Sequence, residues 1–125
     1  MRQEIINWMQ QTQSDFDKAT VLKNSKNYDG SVFFYHQCVE KYLKGICLFK
    51  IKEIPKGHSL IFLAAKVKLP SRLISGIRDL NPEYMVTRYP DMAAGTPAEL
   101  YDKTICEKHE KTAKGVMEWA KLQIK

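Results

Sequence analysis

The sequence predicts an all-α protein, an antiparallel up-and-down four-helix-type bundle with one or two extra short helices. Three observations support this prediction. Apolar residues recur every three or four positions over long stretches, no stretch alternates as a strand would, and turns rich in Gly, Pro or Asn separate the stretches. The chain, residues 1–125, is long enough for one domain with a single core. Mostly short connections favour antiparallel neighbours.

Two long helices are predicted in the first half of the chain. Ile5 and Phe16 belong to an apolar stripe that indicates an amphipathic helix over residues 3–23. The segment 24–30 is rich in Asn, Asp and Gly, which is typical of a turn. A second helix follows from about residue 28 to 50, with a length near 30 Å at about 1.5 Å per residue.

Proline and glycine then divide the chain into shorter helices. Pro55 and Gly57 end the second helix, and Ser59 can cap a third. Residues 60–65 are apolar nearly all round the helix, so we expect the third helix to be well buried. Pro70 restarts the chain into a short fourth helix.

The segment 81–96 is predicted to be an irregular but ordered loop. It contains two prolines and a glycine, yet Tyr84 and Tyr89 make it too apolar for disorder. Thr96 and Glu99 then have the spacing of a capping box. We therefore expect the final helix to begin there and to run almost to the end of the chain.

The positive charge of the chain is concentrated in its middle. The net charge is +6, and residues 37–88 carry ten basic and four acidic side chains, whereas residues 1–36 and 89–125 are each neutral. An anionic partner such as a nucleotide, RNA or an acidic protein surface is expected. The alternative is that the lysines only decorate solvated helix faces.

No apolar run is long enough for a membrane span and the start lacks a signal-peptide layout, so a cytoplasmic protein without membrane contact is expected.

The second helix carries a compact polar stripe opposite its apolar face. At about 100° per residue the stripe occupies an arc of roughly 140°. It consists of His36, Gln37, Glu40, Lys41 and Lys44. Apolar residues lie at both ends of the stripe, which is unusual for a solvated face. We expect another chain, or a loop of this chain, to cover it.

Within this stripe, Glu40 and Lys44 have the spacing of a helical ion pair. The pair is either an exposed structural contact or part of a site in which Lys41 and Lys44 bind phosphate. Arg88, in the extended tetrapeptide Arg88–Asp91, suits bidentate phosphate recognition, or it could pair with Asp91 and fix the loop.

The remaining reactive residues have structural interpretations. His58 follows a glycine and fits a turn or cap, and His109 lies on the apolar stripe of the last helix. Cys38, Cys47 and Cys106 match no zinc or redox spacing and are interpreted as reduced packing residues. No catalytic residue, metal or cofactor is assigned.

Several segments together resemble the HEPN-domain family (higher eukaryotes and prokaryotes nucleotide-binding), over roughly residues 10–122. The segments that carry the resemblance are Asp15–Ala19, Tyr28–Phe34, Gln37–Lys44, Gly57–Leu60, and Tyr84 with Arg88–Asp91. The resemblance implies an α-helical bundle that forms homodimers and is associated with a minimal nucleotidyltransferase, often as a toxin–antitoxin pair. It also implies a metal-independent ribonuclease motif, an Arg followed after four to six residues by a His. Here no histidine occupies positions 93–95.

The expected function is therefore a HEPN nucleotide- or RNA-binding module that acts as a homodimer, paired with a minimal nucleotidyltransferase. Its expected ligand-binding residues are Gln37, Glu40, Lys41, Lys44 and Arg88. One alternative is a metal-independent ribonuclease toxin that combines Arg88 with a histidine from elsewhere, His58 or His36. Another is a non-catalytic, structural or antitoxin-like interaction protein.

Overall fold

The computed structural model describes residues 2–124, and within them regular structure is helical without any strand. The all-α prediction is thus confirmed. The helices are α1 (Gln3–Asn24), α2 (Tyr28–Ile51), α3 (Leu60–Val67), α4 (Ser71–Leu80), α5 (Glu83–Val86), α6 (Pro90–Ala93), α7 (Pro97–Leu100) and α8 (Lys103–Gln123). None of them has the combination of length and apolar character needed to cross a membrane.

Helix α2 is the centre of the fold, because α1, α3 and α8 all pack against it. Its apolar side is fully buried over most of its length, including Tyr35, Leu43 and Ile46. The predicted bounds of the first two helices agree with the structure within one or two residues. Burial of this continuous apolar face provides most of the hydrophobic stabilisation that holds the long helices together.

Helix α3 is less buried than the sequence predicts. Ser59 caps it as expected, since its hydroxyl oxygen accepts a hydrogen bond from the Phe62 amide at 3.2 Å. Leu60 and Leu63 face the core, but Ile61 and Phe62 are each 49% exposed. The prediction of a helix buried all round was wrong because α2 and α4 cover α3 from one side only.

The segment that was predicted as an irregular loop contains the short helices α5 and α6. Tyr89 between them is extended (φ −117°, ψ 116°), as expected for a residue before proline. Asn81 anchors the start of this segment, because its side-chain oxygen accepts a hydrogen bond from the Leu60 amide at 2.7 Å. The segment is therefore ordered, as predicted, but less irregular.

The last long helix begins later than predicted. Thr96 makes no side-chain capping bond, and the helix after it, α7, ends at Leu100. Tyr101 is extended (φ −107°, ψ 138°) and buried. Asp102 then caps α8 by accepting a hydrogen bond from the Ile105 amide at 2.9 Å. Burial of the Tyr101 ring outweighs the local capping signal, so the chain turns before α8 starts.

All three cysteines are buried free thiols. The Cys106 thiol donates a hydrogen bond to the hydroxyl of Ser31 at 3.1 Å, and that hydroxyl donates to the Ala19 carbonyl at 2.7 Å. Burial raises the pKa of Cys38, Cys47 and Cys106, which keeps the thiols protonated and unreactive. They act as packing residues.

Candidate functional site

The polar stripe of α2 is covered by the chain itself. His36 is fully buried and Glu40 is 4% exposed. The cover consists of the 52–59 linker and α5, whose residues His58 and Tyr84 contact the stripe. A buried carboxylate requires charged or hydrogen-bonding partners, and Glu40 has two.

Glu40 joins the helix to the linker. Its carboxylate lies 3.1 Å from the Lys44 ammonium and accepts a hydrogen bond from Nδ1 of His58, at 3.0 and 3.1 Å to its two oxygens. A carboxylate can only accept, so Nδ1 of His58 carries the hydrogen and Nε2 is left as the basic nitrogen. The imidazole side chain is 47% exposed. The protein thus holds an oriented histidine at its surface.

A stack of planar groups extends from His58 to Arg88. The His58 and Tyr84 rings are parallel within 13°, with centroids 3.8 Å apart. The guanidinium carbon of Arg88 lies 4.3 Å from the Tyr84 centroid, 4.9 Å from that of Phe33 and 5.0 Å from that of Tyr89. Its Nε donates to the Tyr84 carbonyl at 2.9 Å. One edge of the guanidinium is thereby fixed, while the residue remains exposed to solvent.

Of the five predicted site residues, Glu40, Lys44 and Arg88 belong to one connected arrangement through His58 and Tyr84. Lys41 points instead to α1, where its ammonium lies 2.6 Å from the carboxylate of Asp15. Gln37 is half-buried, and its side-chain oxygen has no hydrogen-bond partner within residues 2–124. Nothing in these contacts tests ligand binding, so the ligand roles of all five residues remain predictions.

His58 and Tyr84 are the components that the expected site lacked. The spacing within α2 could not indicate them, because they lie 18 and more residues away in the chain. The one sequence signal was the resemblance itself, which included Gly57–Leu60 and Tyr84. Interpreting His58 as a turn residue missed its bond to Glu40.

All three histidines of the chain converge on α5. Besides the stacked His58, the His36 ring lies 5.6 Å from that of Tyr84, and Nε2 of His109 lies 3.8 Å from the Glu83 carboxylate. Both ring nitrogens of His36 and Nδ1 of His109 lack a hydrogen-bond partner within the part of the chain that the structure describes. Burial lowers the pKa of both to about 4. The segment that carries Arg88 is therefore packed on neutral imidazoles.

A surface groove lies away from this arrangement, between α4 and α8. It has a volume of about 620 Å³ and is lined by Arg72, Leu73, Glu110 and Thr112 among others. The Glu110 carboxylate is already bound by the Lys23 ammonium at 3.0 Å and the Tyr35 hydroxyl at 3.2 Å. The groove is thus a seam between helices, with its most buried charge neutralised.

Comparison with known proteins decides the family. The model of the HEPN domain matches residues 6–123, nearly the whole chain. The chain belongs to the HEPN domain family. The Glu40–His58–Tyr84–Arg88 arrangement lies within the matched residues.

Similar proteins come from archaea and bacteria. A Methanocaldococcus jannaschii protein described as a "putative toxin" is 26% identical, over 94% of this chain and 86% of its own length. A crystal structure of a Thermus thermophilus protein has a TM-score of 0.90 and 26% identity, covering 98% of this chain and all of that one. An archaeal HEPN homologue has a TM-score of 0.85 and 29% identity, with full coverage of both chains.

Within residues 2–124, the last helix places no exposed histidine beside Arg88. His109 is the histidine that α8 provides, and its side chain is only 5% exposed and faces Glu83. It cannot contact an external phosphate in this conformation.

Proposed function

We propose that this HEPN domain binds a nucleotide or RNA through its phosphate, at Arg88. The observation that supports the proposal most strongly is the exposed guanidinium, fixed at Nε by the Tyr84 carbonyl and packed among three aromatic rings. A guanidinium fixed in this way has the terminal N–H groups available for a bidentate contact to phosphate oxygens. Because the side chain is already ordered, less conformational entropy is lost when phosphate binds.

The neighbouring groups also suit a nucleotide. Tyr89 is 42% exposed beside Arg88, and an exposed aromatic ring can stack on a base. Lys44 and His58 add positive or hydrogen-bonding groups around the buried carboxylate. Glu40 orients both of them, which gives it a positioning role rather than a direct ligand contact. The interpretation of Lys41 as a phosphate contact is the least supported, since its ammonium is directed to Asp15 on α1 rather than to the Glu40 cluster.

Titration of a fluorescent nucleotide and of a short RNA tests this proposal. Arg88→Ala should weaken binding roughly tenfold to a hundredfold, since a hydrogen bond to a charged group is worth about 1.5–3 kcal/mol. Arg88→Lys should recover only part of the loss, because an ammonium lacks the planar fork. Arg2→Ala is the matched control, an exposed arginine at the start of α1. Equal affinity of the Arg88→Ala and Arg2→Ala proteins would refute the site.

We also propose that the domain works as a homodimer and that the chain after Arg88 forms the contact. Met92 and Leu100 are 54% and 45% exposed, and water solvates these apolar side chains poorly. A Met92→Glu, Leu100→Glu protein should sediment as a monomer in analytical ultracentrifugation. Leu122→Glu, at the far end of α8, should not change the mass. A wild-type monomer at micromolar concentration would exclude the dimer.

The proposal of a partner protein rests on the family and not on contacts in the structure. The toxin description belongs to the Methanocaldococcus relative, and the resemblance implied a minimal nucleotidyltransferase as partner. We propose the same pairing here. Co-expression with a nucleotidyltransferase encoded beside the gene should give a complex that survives gel filtration. If the two proteins elute separately, the proposed pairing is wrong.

A metal-independent ribonuclease is the second candidate, favoured by the hydrogen bond between Glu40 and His58. Nε2 of His58 could take the proton of a ribose 2′-hydroxyl as the oxygen attacks phosphorus, while water protonates the departing 5′-oxygen. Arg88 would stabilise the charge on the phosphoryl oxygens. Cleavage of RNA in EDTA that is lost in both His58→Asn and Arg88→Ala proteins would establish this activity. Intact RNA after prolonged incubation would restrict the domain to binding.

A further inference from the structure

The unbalanced positive charge of the domain is concentrated in one stretch of the chain. Residues 50–78 contain seven lysines and arginines and one acid, Glu53. Within residues 2–124, none of the seven has a carboxylate within ion-pair distance, whereas Lys23 and Lys41 on the long-helix side each have one. Where unpaired cations lie close together, they produce a positive potential that attracts a polyanion.

Exposed apolar side chains lie among these cations on α3. Ile61 and Phe62 are each 49% exposed, and the Lys66 ammonium lies 5.4 Å from the centroid of the Phe62 ring. Burial in the core does not explain either side chain, because Leu60 and Leu63 serve that purpose. Aromatic rings interleaved with cations are typical of surfaces that bind single-stranded nucleic acid, where bases stack and phosphates pair with charge.

The start of α3 lies beside His58 and thus near the Arg88 site. His58, which stacks on Tyr84, is separated from α3 only by the Ser59 cap. The hydrogen bond from the Leu60 amide to Asn81 holds the start of α3 against the end of α4, just before α5. A chain of phosphates that leaves Arg88 past His58 would therefore reach α3 directly.

We propose that single-stranded RNA bound at Arg88 continues across the α3 surface, defined here as Lys56, Ile61, Phe62, Lys66 and Lys68. Phe62 stacks on a base, and the three lysines neutralise phosphates on both sides of it. This inference rests on the proposed function at Arg88 and extends it from a mononucleotide to an extended strand. An acidic protein would match the charge as well, but the exposed Phe62 ring beside the Lys66 ammonium also offers the stacking surface that an unpaired base needs.

Fluorescence anisotropy with two probes tests the proposal, using a mononucleotide and a single-stranded RNA of about 12 nucleotides, within the site sizes of such surfaces. Phe62→Ala should weaken RNA binding roughly tenfold, a typical value for loss of one stacked base. The double variant Lys66→Glu, Lys68→Glu should weaken RNA binding further. It should also reduce the steepness of the plot of log affinity against log salt concentration by about one to two. Both variants should bind the mononucleotide with the affinity of the wild-type protein. Lys111→Glu, Lys121→Glu, with the same charge change on α8, is the control.

The outcomes separate this inference from the proposed function. If Arg88→Ala weakens the binding of both probes and the α3 variants weaken the binding of RNA alone, the Arg88 site and the α3 surface are both supported. Unchanged RNA affinity in the α3 variants, or equal loss in the α8 control, overturns the inference while the Arg88 site stands. Equal binding of an RNA duplex also overturns it, because stacking on Phe62 requires unpaired bases. Because Phe62, Lys66 and Lys68 are exposed, circular dichroism should show wild-type helicity for these variants.

Discussion

Two buried carboxylates, Asp15 of α1 and Glu40 of α2, have different surroundings. Asp15, on α1, is 1% exposed and binds the Lys41 ammonium at 2.6 Å and the Gln11 amide at 3.0 Å. All of these groups belong to the two long helices. Glu40 is 4% exposed, but one of its partners is His58, which leads to Tyr84 and the exposed Arg88.

The difference shows why burial of a charged residue alone does not identify a site. The Asp15–Lys41 pair connects two helices that also share much of the core, so its role is to hold them together. The Glu40 cluster connects α2 to the linker and to a four-residue helix, both of which pack on the body through few elements. We therefore expect the first pair to affect stability and the second to affect binding, and three predictions test this contrast.

The largest expected effect is a loss of stability in acid, caused by the buried imidazoles of His36 and His109. Burial lowers the pKa of His36 and His109 from 6.5 to about 4, so the unfolded chain binds protons more readily than the folded one between these values. Stability is thus complete above pH 6.5 and falls as the pH drops towards 4, by about 3 kcal/mol per histidine at about 1.4 kcal/mol per pKa unit.

Urea unfolding at pH 7 and at pH 4.5 measures this loss. Burial raises the pKa of Glu83, which offsets part of the loss because the folded protein then retains a proton on that carboxyl. His109→Gln should flatten the pH dependence, since a glutamine does not titrate. A stability that is independent of pH over this range would mean that α5 opens and exposes the imidazoles at little cost.

A smaller effect, about 2–4 kcal/mol of unfolding free energy, is expected for Asp15→Ala. The substitution leaves the Lys41 ammonium, 25% exposed, without its partner, and removing one member of a buried pair is costly. Asp17→Ala is the matched control on the exposed side of α1, and it should change stability by less than about 0.5 kcal/mol. Nucleotide affinity of the folded Asp15→Ala protein should be unchanged. A large loss of affinity would place Lys41 in the ligand site after all.

The smallest stability effect, about 1–2 kcal/mol, is expected for Glu40→Gln, because the amide oxygen can still accept a hydrogen bond from His58. Its effect on binding should be larger than its effect on stability, since Lys44 loses the charge that orients it. Parallel denaturation and nucleotide titration measure both. If Glu40→Gln destabilised the protein as much as Asp15→Ala and left the affinity intact, the contrast between the two carboxylates would be wrong.

Sequence periodicity predicted the helices well because helix formation is local. The bounds of α1 and α2 follow from apolar residues spaced three and four apart, and Ser59 caps α3 through a contact within one turn. The start of α8 was predicted too early, because burial of Tyr101 depends on a distant surface of the bundle. The exposure of Phe62 was missed for the same reason: hydrophobicity does not indicate which side of a short helix has neighbours.

The sequence by itself determined that this chain is an α-helical HEPN domain, that its excess positive charge lies between residues 37 and 88, and that one face of α2 is polar. Only the tertiary structure decided how that face is divided, with Lys41 directed to α1 and Glu40 to His58. The physical reason is distance along the chain. Contacts between residues 18 or 26 positions apart arise when helices pack, and no local pattern of residues specifies them.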